Sequence, residues 1–424
     1  MQIKRRDFIR LAGIAAASPL IGLPSRSFAG AKPRVVVVGG GYGGATAAKY
    51  VKMYAPEADV TLIERDKHYV SCPFSNEVLG GESKIEDITF GYEKMAARGV
   101  NVVHDSVTSV DAAKHSVKLA GGKTVSYDML VVSPGIDFKW GAIEGYDEAA
   151  SHKMPHAWKA GPQTVLLRKQ LEAMPDGGVV MMAAPPNPFR CPPGPYERAA
   201  QIGHFLKHHK PKSKLIIMDS KDKFSKQGLF MEGYKALYDG YVEWRSAASD
   251  GKVLGVDAAA GVLKTEFEEH KPAVANIIPP QKAGELAFTA GLTNETGFCP
   301  VNQETFESTI HKDIFVIGDS CIAGAMPKSG YSANSQGKVC AMAIATRLHG
   351  VAMPAPSYVN TCYSLIAPDY GISVAAVYEL KDGAIGGVKG AGGLSPVGGT
   401  ADRHMAEAMY ARSWFRNITT DMFG

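Results

Sequence analysis

The chain has 424 residues, 45% hydrophobic and 21% charged, the balance of a folded globular protein, which excludes disorder and a fibrous repeat. Its formal charge of +4 resides in the first 29 residues, where five Lys and Arg face one Asp; the remainder carries 41 of each sign. Charge therefore gives no reason to expect nucleic acid as a partner.

Residues 1–29 read as a targeting segment. An arginine pair, Arg5-Arg6, precedes a modestly apolar run from Leu11 to Leu23, and Ser27-Phe28-Ala29 supplies a small-x-small cleavage pattern. This is the pattern of a twin-arginine signal peptide. The run falls short of the roughly 20 residues needed to cross a bilayer. No later stretch is long and apolar enough, so no integral membrane segment is expected in the mature chain. Twin-arginine export carries folded chains, often with a cofactor aboard, so the expected compartment is the periplasm, where cysteines can pair.

A nucleotide fold is expected at once. Val35–Val38 is a β-branched run suited to a buried parallel strand. It leads into Gly39-Gly40-Gly41-Tyr42-Gly43-Gly44 and then an Ala-rich helix, Ala45–Met53. Gly39, Gly41 and Gly44 fit G-x-G-x-x-G between strand and helix, for the tight turn, the approach to a pyrophosphate and the helix–strand packing. A second strand, Val60–Ile63, ends at Glu64 with Arg65 beside it. An acid there accepts from ribose hydroxyls and repels a 2′-phosphate. Tyr127–Val132 reads as a further strand, ending in the turn Ser133-Pro134-Gly135.

The strand Gly178–Met182 runs into Ala183-Ala184-Pro185-Pro186-Asn187-Pro188-Phe189-Arg190-Cys191-Pro192-Pro193-Gly194. Prolines lack the N–H groups a phosphate needs, so this loop cannot cradle one. Downstream, the strand Ile314–Ile317 ends in Gly318-Asp319. The combination resembles the α/β flavoproteins with two dinucleotide-binding domains, glutathione-reductase-like in layout. There the late Gly-Asp approaches the ribityl chain and pyrophosphate of FAD. The resemblance implies a discontinuous FAD-binding domain (30–160 and 263–350) and an inserted second dinucleotide-like domain without a nicotinamide motif (161–262). Residues 351–424 then form a C-terminal interface and active-site region. With prolines in place of the second glycine motif no NAD(P) site is expected, so the flavin's electrons are expected from another donor.

Six cysteines follow the leader: Cys72, Cys191, Cys299, Cys321, Cys340 and Cys362. No C-x-x-C occurs, which disfavours a thioredoxin-type dithiol or zinc site, so no metal is expected, and no C-x-x-C-H occurs, so no haem is expected on this chain. Cys191 and Cys362 lie in loop-like settings, Cys321 and Cys340 in apolar helix-like sequence, and Cys299 fits either.

Three segments resemble the flavoprotein subunit of flavocytochrome c sulfide dehydrogenase: Cys191-Pro192-Pro193-Gly194-Pro195-Tyr196-Glu197-Arg198, Met326–Lys338 and Asn360-Thr361-Cys362-Tyr363-Ser364. Pro155–Gly161 and the final Phe423-Gly424 carry the same likeness, which spans essentially the whole mature chain. It implies that Cys191 and Cys362 form a redox-active disulfide over the flavin and that Cys72 joins the 8α carbon of FAD. Glu197 then lies close to the disulfide as a proton carrier, with Arg190 or Arg198 drawing in an anion. Lys328 is a candidate for the negative edge of the reduced ring. Around Cys72 the chain departs from the family pattern, with Pro73 where an aromatic residue is expected. The implied activity is oxidation of sulfide to sulfur or polysulfide, with electrons passed to a separate c-type cytochrome subunit in a heterodimer. A sulfide:quinone oxidoreductase is the nearest alternative, disfavoured by the charged residues of 401–424. A non-catalytic FAD-containing binding protein is a further one, against which the paired cysteines argue. A type II NADH dehydrogenase is disfavoured by the missing second glycine motif.

Overall fold

The protein is described by a computed structural model over residues 31–424, and the twin-arginine segment lies outside the described residues. Four consecutive valines need cover on both faces, and the strand Arg34–Val38 runs through the middle of a five-stranded parallel sheet, with Val35 and Val37 fully buried. The sheet order is Ile314–Val316, Met129–Val132, Arg34–Val38, Asp59–Ile63, Asn101–Val103. Ile314 pairs with Leu130, so the chain returns to its first sheet after a long excursion.

Within that excursion lies a second parallel sheet, ordered Val242–Arg245, Lys214–Asp219, Val179–Ala184, Val274–Ile277. The helix Gly194–His209 follows its Val179–Ala184 strand. A third, antiparallel sheet joins Ser357–Ala367, Tyr370–Lys381 and Ala384–Leu394 and leads into the closing helix Ala401–Phe423. The fold is thus α/β with two parallel nucleotide-type sheets.

The inserted unit, expected to end at 262, also takes in the strand Val274–Ile277, because that strand pairs in parallel with Val179–Ala184, and two local elements differ from the sequence reading as well. The helix expected from Ala45 begins at Tyr42, because the backbone leaves its extended conformation directly after Gly41. Cys362, expected in a loop, lies inside the strand Ser357–Ala367, in register with Val374. Tyr358, Val359, Thr361, Tyr363, Leu365 and Ile366 make that segment rich in β-formers, and tertiary pairing does the rest.

The first helix, Tyr42–Tyr54, packs on Gly330–His349 through small residues: a Cβ on Gly337 would lie 2.8 Å from the Gly43 carbonyl oxygen. The closing helix is fastened to the same place. Asp421 accepts from the Tyr50 hydroxyl (2.7 Å) and the Asn334 amide (3.0 Å) and pairs with Lys338 (2.9 Å). Phe423 stacks on Phe90 with ring centres 5.3 Å apart.

Candidate functional site

Backbone approach dictates the first turn. Gly39 has φ +97°, and a Cβ there would run into the Ser133 carbonyl; one on Gly44 would run into the Gly39 carbonyl. Gly41 is the N-terminal boundary of the Tyr42–Tyr54 helix, which has neither a side-chain cap nor an acid in its first turn. Its leading N–H groups and dipole therefore suit a phosphate. Glu64 stands at the mouth of this turn, accepting from Gly40 N–H at 2.6 Å and Asp66 N–H at 3.1 Å. Arg65 is exposed and pairs with Asp66 at 3.3 Å.

Pro134-Gly135 borders the same cradle, and the Gly135 carbonyl accepts from Gly284 N–H (2.9 Å) and the Ser320 hydroxyl. Beyond Gly318, one carboxylate oxygen of Asp319, Oδ1, is buried without a hydrogen-bond partner. An orphaned buried acceptor is costly, and a sugar hydroxyl would satisfy it. Burial raises the Asp319 carboxyl, with Arg190 and Lys328 opposing. Glycine turn, uncapped helix, Glu64 and orphaned Asp319 together fit a flavin dinucleotide. Lys328 is held within this region: its ammonium donates to the carbonyls of Asp319 (2.8 Å) and Cys321 (2.9 Å) and lies 3.8 Å over the Phe298 ring.

Cys72 lies between the short strand Tyr69–Val70 and the helix Ser75–Gly80, with its thiol 3.4 Å from the Trp158 carbonyl. The Arg190 guanidinium donates to the same carbonyl and stands 3.9 Å from Asp319. Arg190 thus links the Cys72 neighbourhood to the Asp319 turn.

Cys191 opens the next part of the site. It holds φ +56°, a left-handed conformation uncommon for a side-chain-bearing residue. Its N–H donates to the Lys328 carbonyl at 2.7 Å and its own carbonyl accepts from Gly194 N–H at 2.8 Å. A Cβ on Gly194 would lie 3.0 Å from the Cys191 sulfur, so glycine at that helix start leaves the thiol its room. Cys191, Cys362 and Glu197 all line one cavity of about 60 Å³, walled on its apolar side by Phe74, Tyr331 and Trp414. That is room for a small anion and a few atoms more. The two cysteines stand as unbridged thiols.

Their surroundings differ. Burial pushes Cys191 far above its ordinary range, with Cys362 and Glu197 adding to the rise. Burial also pushes Cys362 up, but Lys226 and the Asn360 amide, 3.4 Å from its sulfur, oppose. Glu197, half-buried in the first turn of its helix, accepts from Leu365 N–H (2.8 Å) and the Asn76 amide (2.9 Å), and burial holds its carboxyl above the usual range.

Arg198 departs from expectation. It is 1% exposed, donating to Asn76 (3.1 Å), the His156 carbonyl (2.9 Å), Asn276 (3.0 Å) and the Ala157 carbonyl (2.6 Å). A guanidinium so engaged orients Asn76 beneath Glu197 and is closed to a substrate anion. Cys299, Cys321 and Cys340 are all buried in the core around the first sheet. Trp414 lines the cavity, and Phe415 stacks on Phe74 with ring centres 4.4 Å apart.

Sequence reasoning missed Asn76, Lys226 and the Glu77–Arg412 pair (3.2 Å) beside the cavity. The inserted sheet holds one further surprise. Asp219, at the end of its second strand, is fully buried and accepts from Tyr196, Trp244 and Lys221. The Tyr196 and Phe224 rings stack 3.6 Å apart beside it.

Three regions of the chain match known protein families. Residues 164–279 match the family described as sulfide dehydrogenase [flavocytochrome c] flavoprotein chain, central; residues 354–423 match flavocytochrome c sulphide dehydrogenase, flavin-binding. Residues 33–160 match pyridine nucleotide-disulphide oxidoreductase. The sulfide dehydrogenase [flavocytochrome c] flavoprotein chain of Chlorobaculum thiosulfatiphilum is 58% identical over 45 residues, 11% of this chain and 94% of that one. The mitochondrial sulfide:quinone oxidoreductase of Dictyostelium discoideum is 23% identical over 302 residues, 68% of this chain and 65% of that relative's length. In fold, the sulfide:quinone oxidoreductase of Aquifex aeolicus superposes with a TM-score of 0.69 at 17% identity, covering 92% of each chain.

Proposed function

Because the chain belongs to the superfamily of flavocytochrome c sulfide dehydrogenase flavoproteins and sulfide:quinone oxidoreductases, we propose that it oxidises sulfide through a Cys191–Cys362 disulfide and FAD. The observation that carries this reading is the single cavity lined by Cys191, Cys362 and Glu197.

Gly39, Gly41, Gly44, Glu64, Arg65, Pro134, Gly135, Gly318 and Asp319 would hold the dinucleotide, Lys328 would steady its turn, and Cys72 would join it through sulfur. When bound, FAD supplies a two-electron acceptor able to hand electrons on singly, as a haem on a separate c-type cytochrome subunit requires. Hydrosulfide is a soft nucleophile, and a disulfide is its natural electrophile. Its sulfur bonds to one cysteine sulfur as the disulfide breaks, leaving a persulfide there and a thiolate on the other cysteine. Glu197, with its raised carboxyl, would take the substrate proton.

Nicotinamide is not the donor in this reading. The loop after Val179–Ala184 offers proline where a phosphate needs N–H groups, and Asp219 is occupied by Tyr196, Trp244 and Lys221. The arginine pair Arg5-Arg6 supports export to the periplasm, where a c-type cytochrome subunit would complete a heterodimer. A membrane quinone as acceptor is a second reading, favoured by Met405, Met409 and Tyr410 standing exposed on the closing helix. Among the described residues no helix is long and apolar enough to cross a membrane.

The test is the visible spectrum of the purified flavoprotein mixed with sulfide or NADH, then re-oxidised with cytochrome c or a soluble quinone. Prompt bleaching by sulfide, lost in Cys191→Ser and Cys362→Ser, is the expected result. Bleaching by NADH and none by sulfide overturns the proposal, and re-oxidation by quinone alone replaces the cytochrome with the second reading.

A further inference from the structure

Lys226 lies against the strand that carries one of the two cavity cysteines. It sits just ahead of the helix Gln227–Leu237 with φ +60° and is 5% exposed. Its ammonium reaches out of the inserted sheet's layer to the strand that carries Cys362. There it donates to the Cys362 carbonyl at 3.0 Å and to the Ser364 hydroxyl at 2.8 Å. Three donor positions on a buried ammonium are costly to leave unmatched. The groups facing it are Cys362 from the strand, Glu197 from the helix Gly194–His209, Cys191 from its loop and Glu407 from the closing helix. Burial draws the ammonium down to about 8, and these neighbours hold it up.

Glu197 raises and Lys226 lowers both thiols, but the Cys362 sulfur alone has a hydrogen-bond donor on it, the Asn360 amide at 3.4 Å, and Cys362 alone has the ammonium on its own carbonyl. A disulfide cleaves fastest when the departing sulfur is the one better stabilised as a thiolate. We propose that Lys226 is a positioning residue that makes Cys362 the departing sulfur, so that sulfide attacks Cys191 and the persulfide forms there. This rests on the sulfide chemistry proposed above. The hydrosulfide sulfur forms a bond to Cys191 Sγ as the Cys191–Cys362 bond breaks. The electron pair of that bond goes to Cys362 Sγ, so substrate sulfur is oxidised and Cys362 reduced. The substrate proton stays on the persulfide until Glu197 takes it.

The first test needs no turnover. The reduced, FAD-loaded protein is alkylated with iodoacetamide over a pH series, and each thiol is followed by peptide mass spectrometry. In wild type Cys362 should react before Cys191. Lys226→Met should slow Cys362 about tenfold at neutral pH, the effect of roughly one pKa unit, and Lys226→Arg should restore most of the rate. Ser364→Ala, which removes one anchor of the ammonium and keeps the charge, should give a smaller shift and covers the case that Lys226→Met does not fold. An unchanged Cys362-to-Cys191 ratio in these variants overturns the proposal. In the second test, oxidised protein is exposed to sulfide and the persulfide is mapped. Persulfide on Cys191 in wild type and on both cysteines in Lys226→Met supports the assignment, and persulfide on Cys362 in wild type overturns it. Persulfide on neither refutes the sulfide chemistry instead, while the alkylation ratio still decides the role of Lys226.

Discussion

Replacing Glu197 with Gln keeps the shape of the side chain and removes its charge from the thiol cavity. In the native arrangement both carboxylate oxygens accept, one from Leu365 N–H at 2.8 Å and the other from the Asn76 amide at 2.9 Å. Glutamine has one acceptor oxygen, so one of these donors must face its NH₂ group. Turning Asn76 over gives no relief, because its Oδ1 already accepts from Arg198 at 3.1 Å. One buried donor is left unpaired, a loss of about 1–3 kcal/mol. The pH dependence has a definite sign. Burial raises the folded carboxyl, so its contribution to stability is complete below the ordinary Glu range and is lost as pH rises through the raised value. Glutamine undergoes no such loss. Urea unfolding should therefore find Glu197→Gln about 1–3 kcal/mol less stable than wild type in acid, with the gap narrowing toward neutral pH. Sulfide-driven flavin bleaching should fall about a hundredfold, the lower end of what a positioned proton carrier contributes. A gap that widens with pH, or bleaching at the wild-type rate, refutes the reasoning.

Glu77 offers a second pH-linked test, since burial pushes its carboxyl from 4.5 up to about 7 against the pull of Arg412. Its contribution is complete below 4.5 and gone above about 7, so Glu77→Gln should flatten a decline of roughly 3 kcal/mol in that interval, read by urea midpoints; an unaltered slope disproves it. Gly44→Ala should abolish both folding and flavin retention, because its methyl would meet the Gly39 carbonyl, whereas Gly228→Ala, whose Cβ points into open space, should stabilise by about 0.5–1 kcal/mol. Thermal unfolding of the pair checks both, and a soluble, yellow Gly44→Ala protein contradicts the assigned turn. Wild type should keep its flavin through acid precipitation and Cys72→Ala should release it; release from both rules out the Cys72 linkage.

The nucleotide cradle could be read from the sequence because its reasons are local. Gly39 and Gly44 answer to backbone atoms within a few residues or in the adjoining strand, and Val35–Val38 declares its own burial. Cys191, Glu197 and Cys362 came from family likeness, and the structure supplies what likeness cannot, the company each keeps. Lys226 shows why the rest stayed hidden. It stands among other lysines with no motif around it, and its partner Cys362 is 136 positions downstream. Nothing in composition or periodicity distinguishes a buried lysine with two acceptors from a solvated one. Arg198 misled for the same reason, since its four acceptors come from three separate segments that only the folded chain brings together.

The fastening of Asp421 and Phe423 onto the first helix and its flanking rings has a consequence for biosynthesis. Domains generally fold as they leave the ribosome, starting from the N-terminus. Here the earliest-made unit keeps the Phe90 ring and the Tyr50 hydroxyl uncovered until nearly the whole polypeptide has emerged. Nascent chains should therefore hold their cofactor poorly, and a protease cut within the last helix should loosen a site assembled more than three hundred residues earlier.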